Sequence, residues 1–287
     1  MKTTVTELAN AKINLTLDVL GRRDDGYHNL KSVMQAVQLC DRVTLTKTEG
    51  AELVLTANVE TVPLDKSNTM IVAVRAFEEK TGITVGGLSI HLEKNIPVSA
   101  GVGGGSSDAA AVLRGLNKMY EMNLTSYELA EIGIKVGSDV PYCIYGSACI
   151  VEGKGEQVGR LTGLPHCWIV LCKPDFSLSS AEMYRRIDSV ELPSRPDQVT
   201  VMVGLEWEEL NAVAKRVENV FEAALTDEER AVISSIKETL LNCGAMGAAM
   251  SGSGSVTYGI FAEEAAAKKA AEALQKTYSE VFLTQPV

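Results

Sequence analysis

The segment Ile96–Asp108 limits what this chain can fold into and do more than any other stretch of its sequence. Four of the five residues from Gly101 to Gly105 are glycine, and a glycine backbone turns freely and can approach a ligand with no Cβ in the way. The apolar residues of Ser106–Tyr120 fall on one stripe, which predicts an amphipathic helix directly after the glycines. The amides of such a loop and of a helix's first turn attract anions. We therefore expect this segment to hold a di- or triphosphate.

The spacing of this loop separates it from three familiar phosphate-binding loops. A P-loop ends in Gly-Lys-Ser/Thr, and no lysine occurs in the segment. The Rossmann fingerprint requires Gly-x-Gly-x-x-Gly, but the sixth position is Ser106 when counted from Gly101 and Asp108 when counted from Gly103. The protein-kinase loop fails on the same count, and the chain contains no His-Arg-Asp. The loop is a phosphate cradle of another kind, or else a flexible linker or tight turn, although linkers rarely join a proline to a well-formed helix start.

The composition is that of an ordinary globular protein and excludes several classes of function. The 287 residues are 46% hydrophobic and 22% charged, values that exclude a disordered or collagen-like chain. The net charge of −10, from 27 basic and 37 acidic residues, and the lack of a basic stripe argue against nucleic-acid binding. A single anionic metabolite stays compatible with this charge, because a helix N-terminus, one lysine and a metal ion can hold it locally.

The cysteines, histidines and apolar runs indicate a soluble, cytoplasmic protein with no membrane partner. The six cysteines form no Cys-x-x-Cys pair, and with only three histidines a zinc site is not expected. Scattered cysteines of this kind are usually buried in proteins from reducing compartments. No apolar run reaches the length of a membrane span, and residues 1–20 lack the apolar core of a secretion signal.

Hydrophobic periodicity predicts an α+β fold, with strands at the start of the chain and mixed helices and strands after it. The segment Ala11–Val19 alternates apolar and polar residues, which predicts a half-buried strand with Lys12 and Asn14 on its polar face. The segment Ser126–Val136 predicts a helix capped by its first residue and closed by Gly137. Further predicted strands are Val33–Leu39, Arg42–Thr48, Leu53–Ala57, Gly87–Leu92, Cys167–Cys172, Ala248–Met250 and Val256–Phe261, and further predicted helices are Asn68–Lys80, Ala181–Ile187, Glu228–Leu241 and Glu263–Tyr278.

With its flanking residues, the glycine loop resembles the second motif of the GHMP small-molecule kinases, a Pro-x-x-x-Gly-Leu-Gly-Ser-Ser-type loop. Here Pro97–Ser107 reads Pro-Val-Ser-Ala-Gly-Val-Gly-Gly-Gly-Ser-Ser. The segment Met250–Gly254 resembles the family's third, C-terminal glycine motif. Two departures are visible, since Val102 replaces the usual leucine and Ser138 the more common alanine, and neither change removes a functional group. The motifs occur in order over nearly the whole chain.

Four further features resemble one branch of this family, which phosphorylates a cytidine diphosphate-linked methylerythritol in the non-mevalonate route to isoprenoids. They are the segments Ala11–Leu15, Arg23–His28, Gly103–Ala109 and Gly137–Pro141. The resemblance implies a kinase that uses ATP and Mg²⁺ and transfers a phosphoryl group to the 2-hydroxyl of that substrate. It also implies a two-lobed α+β fold, with a ribosomal-protein-S5-like N-terminal lobe over residues 1–160 and a ferredoxin-like C-terminal lobe over residues 161–287.

The resemblance implies two catalytic residues and a nucleotide-binding loop. Lys12 would polarise the substrate hydroxyl and offset charge on the transferred phosphoryl group, and Asp139 would act as general base. On residue chemistry alone, Lys12 would be part of a solvated strand face and Asp139 an ordinary turn aspartate. The residues implied to bind ATP are Pro97, Val98, Ser99, Ala100, Gly101, Val102, Gly103, Gly104, Gly105, Ser106 and Ser107.

A second set of residues is implied to bind the substrate. Tyr27 and His28 would recognise the cytidine by stacking and hydrogen bonding, and the alternative is an ordinary surface turn. Tyr184 would close the other side of that pocket, and Ser180 would touch the diphosphate. The remaining implied substrate contacts are Asn14, Ser251 and Gly252.

Several assignments stay open from sequence. Ser106 and Ser107 either cap the helix or meet the ATP phosphates, and Ser107 is a candidate metal ligand. Asp108 either joins a metal shell or complements the helix dipole. The rival functions are another GHMP kinase, acting on mevalonate, homoserine or a sugar, and a non-catalytic nucleotide-binding regulator, against which the presence of both Lys12 and Asp139 argues. Monomer and homodimer are both compatible with the sequence.

Overall fold

The fold consists of two compact units, which the computed structural model describes over residues 3–287. The glycine loop (Pro97–Ser107) contributes residues to each of them. Unit 1 contains the chain up to Ala11, Cys40–Val98 and Gly103–Gly146, and unit 2 contains Lys12–Leu39, Ser99–Val102 and Ser147–Val287.

Unit 1 combines a small sheet with four helices. Its elements in chain order are the first part of β1 (Thr4–Arg22), the second part of β2 (His28–Lys47), β3 (Leu53–Ala57), α1 (Thr69–Thr81), β4 (Leu88–Glu93), α2 (Gly104–Tyr120), α3 (Ser126–Gly133) and α4 (Val140–Tyr145). Strand β4 pairs antiparallel with β2 and parallel with β3. Helices α1 and α2 pack against each other, and each carries fully buried apolar side chains, such as Phe77 in α1 and Leu116 in α2. The glycine loop therefore begins just after β4 and leads directly into α2.

Helix α3 starts and ends earlier than its sequence predicts. Its N-cap is Thr125 rather than Ser126, and its last residue is Gly133 rather than the predicted Val136. The Thr125 hydroxyl accepts a hydrogen bond from the Glu128 amide, and the Glu128 carboxylate accepts one from the Thr125 amide. This reciprocal capping box satisfies two amides that a cap at Ser126 would leave unpaired, which explains the earlier start.

Unit 2 is built around a four-stranded sheet. It contains the rest of β1 and β2, β5 (Ala148–Gly153), β6 (Gln157–Leu161), β7 (Trp168–Lys173), α5 (Ser180–Ile187), α6 (Gln198–Glu206), α7 (Leu210–Ala214), β8 (Glu218–Asn219), a 3-10 helix (Val220–Ala224), α8 (Asp227–Asn242), β9 (Gly247–Met250), β10 (Thr257–Phe261), α9 (Glu264–Leu274) and β11 (Glu280–Thr284). The sheet has the order β11-β7-β10-β9, with every pair antiparallel. Helices α8 and α9 cover it with apolar residues such as Ile236 and Leu274. Elsewhere, β5 pairs with β2 and β6, and β8 pairs parallel with β1.

The predicted α+β class is confirmed, and the differences concern the bounds of particular elements. The predicted strands Val33–Leu39 and Arg42–Thr48 are parts of one continuous strand, β2. The predicted helix Glu263–Tyr278 is shorter, because α9 ends at Leu274 and the chain turns there to enter β11.

Strand β1 differs from its prediction in a way that bears on the site. Every residue of Ala11–Val19 is buried, so the strand is not half-buried and its polar face is not solvated. The polar residues of this stretch, Lys12, Asn14, Thr16 and Asp18, are at most 5% exposed. Buried polar groups are retained in proteins when they are hydrogen-bonded. The alternation in the sequence therefore marks an apolar face and a buried polar face.

Candidate functional site

Lys12 lies on β1 in unit 2 with its ammonium group against the glycine loop. The residue is 3% exposed, and its Nζ donates hydrogen bonds to the Gly101 carbonyl (3.0 Å) and to Asn14 Oδ1 (2.6 Å). The Lys12 amide also donates to the Val102 carbonyl (3.0 Å). A buried ammonium group is costly unless acceptors surround it, so these bonds fix the charge at the loop. The alternative assignment of Lys12 to a solvated strand face is wrong.

Asn14 connects Lys12 to the second glycine loop (Ser251–Ser255). Its side-chain amide donates to Ser32 Oγ (2.8 Å), and its backbone amide donates to Ser251 Oγ (3.3 Å). The Ser251 hydroxyl donates in turn to the Gly101 carbonyl (3.0 Å). The Tyr258 hydroxyl donates to the Asn14 carbonyl (2.7 Å), and burial raises the pKa of this phenol well above its usual value. The neutral Tyr258 hydroxyl thus fixes the Asn14 backbone beside Lys12.

The two glycine loops touch each other at positions where only glycine fits. Gly101 has φ +78°, and a Cβ there would lie 2.2 Å from the Ser251 carbonyl oxygen. Gly252 has φ +56°, and a Cβ there would lie 2.5 Å from the Gly101 carbonyl oxygen and 3.1 Å from Lys12 Nζ. Such close backbone packing excludes a flexible linker at this point. The predicted site residues Lys12, Asn14, Gly101, Ser251 and Gly252 therefore meet in unit 2.

Helix α2 begins inside the glycine loop without a side-chain cap. Its N-cap is Gly103, with φ +73°, and no side chain hydrogen-bonds there. The Ser107 hydroxyl donates instead to the Asn10 carbonyl (2.7 Å) within unit 1 and is buried, while Ser106 is half-buried. The alternative in which these serines cap the helix is wrong. First-turn amides left uncapped by side chains fit an anionic group such as a phosphate.

The remaining loop residues and Asp139 are placed as follows. Pro97 and Ala100 are buried, whereas Val98 and Ser99 are exposed. The Ala100 carbonyl accepts a hydrogen bond from the Val256 amide (3.0 Å), which ties this part of the loop to unit 2. Asp139 occupies the N-cap position of α4 in unit 1, is half-buried and makes no side-chain capping bond.

His28 and Tyr184 form a stacked pair in unit 2. Their ring centroids are 4.8 Å apart with an interplanar angle of 20°. His28 Nε2 lies 2.7 Å from Asp188 Oδ1, and the Tyr184 ring meets Phe221 edge-on at 5.0 Å. Because Asp188 engages Nε2, a hydrogen bond from His28 to a base would have to use Nδ1 or the backbone.

Tyr27 and Ser180 are more open to solvent than the stacked pair. Tyr27 is 54% exposed, and Lys154 Nζ lies 5.0 Å from the centroid of its ring. Ser180 Oγ lies 2.8 Å from Ser253 Oγ, so the start of α5 borders the second glycine loop. An exposed aromatic ring beside an ammonium group offers a stacking surface and a positive charge, the two features that a nucleotide requires.

Asn219 and Glu222 support the second glycine loop and were not predicted. Asn219 Nδ2 donates to the carbonyls of Met250 (2.7 Å) and Gly252 (2.8 Å), and the Met250 amide donates to Glu222 Oε1 (2.8 Å). Asn219 is 4% exposed. In the sequence, Asn219 is only an asparagine beside an apolar stretch, and this pattern does not predict which residues it contacts.

A buried cluster of Asp41, Lys94 and Asp108 lies in unit 1 and was also not predicted. Lys94 Nζ lies 2.5 Å from Asp41 Oδ2 and 2.8 Å from Asp108 Oδ2, and the three side chains are at most 5% exposed. Burial, with Asp41 nearby and against the opposing effect of Lys94, raises the pKa of Asp108 to about 7. Asp108 thus pairs with a lysine rather than simply complementing the helix dipole.

Three observations concern the cysteine thiols, possible metal ligands and the length of the apolar helices. Burial raises the pKa of the Cys167 and Cys172 thiols to about 12, so both are protonated core residues as predicted. Cys143 and Cys149 are also buried, but the same prediction is wrong for Cys40 and Cys243, which are half-buried. In the part of the chain that the structure describes, no group of three or more His, Cys, Asp and Glu side chains is arranged to hold a metal ion. Over the same residues, no helix is both long and apolar enough to cross a membrane.

Two family models match this chain, one in its N-terminal half and one in its C-terminal half. The model described as "GHMP kinases N terminal domain" matches residues 68–147, and "GHMP kinases C terminal" matches residues 205–280. A relative from Caldicellulosiruptor saccharolyticus named 4-diphosphocytidyl-2-C-methyl-D-erythritol kinase is 41% identical over 276 residues, which covers 96% of this chain and 94% of the relative. A relative of the same name from Clostridium tetani is 40% identical, covering 97% and 99% of the two chains.

Solved structures show the same similarity at the level of the fold. A crystal structure of 4-(cytidine 5'-diphospho)-2C-methyl-D-erythritol kinase is 29% identical, with a TM-score of 0.81 over 98% of this chain and 99% of that chain. Homoserine kinase from Cytophaga hutchinsonii is 18% identical, with a TM-score of 0.76 over 99% and 95% of the two chains. The second likeness concerns the fold alone.

Proposed function

The chain belongs to the GHMP kinase family, and on that premise we propose that it phosphorylates the 2-hydroxyl of 4-diphosphocytidyl-2-C-methyl-D-erythritol with ATP, in the non-mevalonate (MEP) pathway of isoprenoid precursor biosynthesis. The observation that carries the chemistry is the buried Lys12 ammonium group hydrogen-bonded to the Gly101 carbonyl of the glycine loop. The choice of substrate is supported by the name of relatives that match nearly the whole chain. A cytoplasmic enzyme fits this role.

The nucleotide is proposed to bind along the glycine loop, Pro97–Ser107. The fit rests on two features: the uncapped first turn of α2, and left-handed glycines at Gly101 and Gly103 that keep the backbone bare of Cβ atoms. ATP, with Mg²⁺ on its phosphates, would supply the phosphoryl group and neutralise part of its charge. Ser107 stays a candidate metal ligand, although its hydroxyl is engaged with the Asn10 carbonyl.

Lys12 and Asp139 are proposed to activate the acceptor alcohol. Asp139 takes the hydroxyl proton while the hydroxyl oxygen bonds to the γ-phosphorus, the bond to the leaving oxygen breaks, and ADP leaves. Lys12 offsets the negative charge that develops on the transferred group. Asn14 accepts a hydrogen bond from the ammonium group, and Ser251 donates to the same Gly101 carbonyl that Lys12 contacts, so both keep the ammonium group aimed at the loop. Phosphoryl transfer depends mainly on positioning and charge stabilisation, so these groups are sufficient.

The cytidine end of the substrate is proposed to bind at the aromatic group of unit 2. Tyr27 offers an exposed ring for stacking, and the His28–Tyr184 stack supplies a rigid polar wall. Ser180, beside the second glycine loop, is proposed to contact the diphosphate, and Gly252 to approach the substrate. We also propose the division into an N-terminal lobe, residues 1–160, and a C-terminal lobe, residues 161–287.

A coupled ADP-release assay on the purified full chain tests this function. With ATP and Mg²⁺, we expect rapid ADP release with the cytidylyl alcohol and background release with mevalonate or homoserine. Lys12→Met should abolish turnover, whereas Lys135→Met, which changes an exposed lysine paired with Glu79, should not. Equal turnover of mevalonate, or no turnover of the cytidylyl alcohol, would contradict the proposal.

A further inference from the structure

The buried cluster of Asp41, Lys94 and Asp108 has no role in the chemistry described above. Two carboxylates share one ammonium group, and all three side chains are nearly inaccessible to water. Asp108 Oδ1 is buried without a hydrogen-bond partner. Removing charges from water is expensive, and well-packed hydrophobic residues often stabilise a core as well as a buried ion pair does. The arrangement therefore calls for a role beyond packing.

The cluster contacts the chain on both sides of the glycine loop. On the entry side, Asp41 Oδ1 accepts hydrogen bonds from the amides of Asn95 (2.6 Å) and Ile96 (2.8 Å), the two residues before Pro97. On the exit side, Asp108 lies in α2, just after the loop's two serines. Lys94 joins the two carboxylates, so one ammonium group ties the entry of the loop to its exit.

Lys94 also touches the loop itself. A Cβ at Gly104, the first residue of α2, would lie 2.9 Å from Lys94 Nζ. The ammonium group therefore supports the first turn of α2 from inside unit 1, on the turn whose amides are proposed to face the phosphates.

We propose that Asp41, Lys94 and Asp108 are positioning residues that hold the glycine loop in its nucleotide-binding conformation. The proposal rests on the proposed function, because it assumes that the loop binds ATP. Preorganised loops bind more tightly, since the ordering cost is met before the ligand arrives. Burial raises the pKa of Asp108 to about 7, and the contact with Lys94 opposes this rise by favouring the ionised carboxylate.

The test compares Lys94→Met with Lys80→Met. The first variant removes the central charge and keeps an unbranched apolar stem, and the second removes an exposed lysine of α1 that pairs with Glu131. For Lys94→Met we expect the dissociation constant of Mg·ADP to rise at least about tenfold, and KM for ATP to rise similarly. A displacement of about 1 Å in a binding group can lower the rate or affinity by as much as 100-fold. The KM for the acceptor alcohol should change less than about twofold, because the variant leaves the residues proposed to bind the acceptor unchanged. Amide hydrogen exchange should accelerate in the peptide that contains residues 96–108.

A double variant separates positioning from stability. In Lys94→Met/Asp108→Leu, one of the two carboxylates left by the first change is replaced by an apolar side chain, while Asp41 keeps its hydrogen bonds from the Asn95 and Ile96 amides. The thermal midpoint should therefore rise back toward that of the wild type. If the cluster positions the loop, ADP affinity stays low in this restored protein. Recovery of wild-type affinity together with stability would overturn the proposal. The double variant also decides the question if Lys94→Met alone does not fold.

The wild-type protein separates failure of this inference from failure of the proposed function. If the wild type binds no Mg·ADP, the loop is not a nucleotide site and both proposals fall together. If the wild type binds ADP and Lys94→Met binds it equally well, with unchanged exchange at residues 96–108, only the positioning role is overturned.

Discussion

Replacing Gly101 by alanine tests whether the contact between the two glycine loops is as tight as the structure indicates. Gly101 has φ +78°, and its added Cβ would meet three backbone atoms: the Ser251 oxygen at 2.2 Å, the Gly254 nitrogen at 2.8 Å and the Gly254 oxygen at 3.0 Å. Backbone atoms cannot rotate away as a flexible side chain can. Gly82 offers a matched control, because its φ is +71° and no atom lies within 4 Å of its added Cβ.

The expected loss of stability has two parts, and the control contains only one of them. A non-glycine residue in the left-handed region costs about 1–2 kcal/mol, and both variants carry this cost. Overpacking in a tightly packed place costs about 1–3 kcal/mol more, and only Gly101→Ala carries that part. The free energy of unfolding should therefore fall by about 2–5 kcal/mol in Gly101→Ala and by about 1–2 kcal/mol in Gly82→Ala.

Thermal unfolding followed by circular dichroism measures the difference directly. For proteins of this size each kcal/mol lowers the midpoint by about 2–4 °C, so Gly101→Ala should unfold clearly before Gly82→Ala. Binding of Mg·ADP should weaken in Gly101→Ala alone, because its added methyl group pushes the loops apart. Equal midpoints for the two variants would refute the close packing of Gly101 against the second glycine loop.

Three further predictions address catalysis, recognition and pH. Lys12→Ala and Asp139→Ala should each lower kcat by about 10²–10⁴-fold while ADP binding persists. Turnover close to that of the wild type in the ADP-release assay would refute the proposed mechanism. Tyr27→Ala should raise KM for the cytidylyl substrate far more than KM for ATP, and equal changes would count against stacking at Tyr27. The pKa of Asp108 is raised from 3.8 to about 7, so the folded state holds a proton that the unfolded chain releases. The free energy of unfolding should therefore fall as the pH rises from about 4 to 7, by at most about 1.4 kcal/mol per pH unit. This slope should be smaller in Asp108→Asn. Urea titrations that give the same slope for both proteins would contradict this prediction.

The family was predicted from the sequence motifs, and the α+β class from the motifs together with hydrophobic periodicity. The glycine loop, the Ala11–Leu15 segment and the Gly137–Pro141 segment occur in an order that resembles the GHMP kinases, and the relatives confirm that resemblance. These motifs are local, because backbone freedom and helix starts depend on neighbouring residues. Most helices and strands were predicted for the same reason. The site roles of Lys12 and Asp139 stay predictions that the proposed experiments test.

Local sequence patterns could not predict which polar side chains are buried or which distant residues they contact. Alternation in Ala11–Val19 is equally compatible with a wet polar face and a buried polar face, and only the packing of unit 2 shows that the second is correct. Asn219 lies 31 positions from Met250 and 33 from Gly252 in sequence, so no local pattern could reveal that it supports the second glycine loop.

What the sequence determined by itself is the bare-backbone loop, the helix behind it and the set of residue types available for phosphoryl transfer. Only the tertiary structure decided that Lys94 lies between Asp41 and Asp108, residues 53 and 14 positions away. Charges are forced together in this way by the folding of β2, β4 and α2 around one core. The physical reason is that periodicity records which face of an element is apolar, whereas the identity of the opposing side chain depends on how distant elements pack.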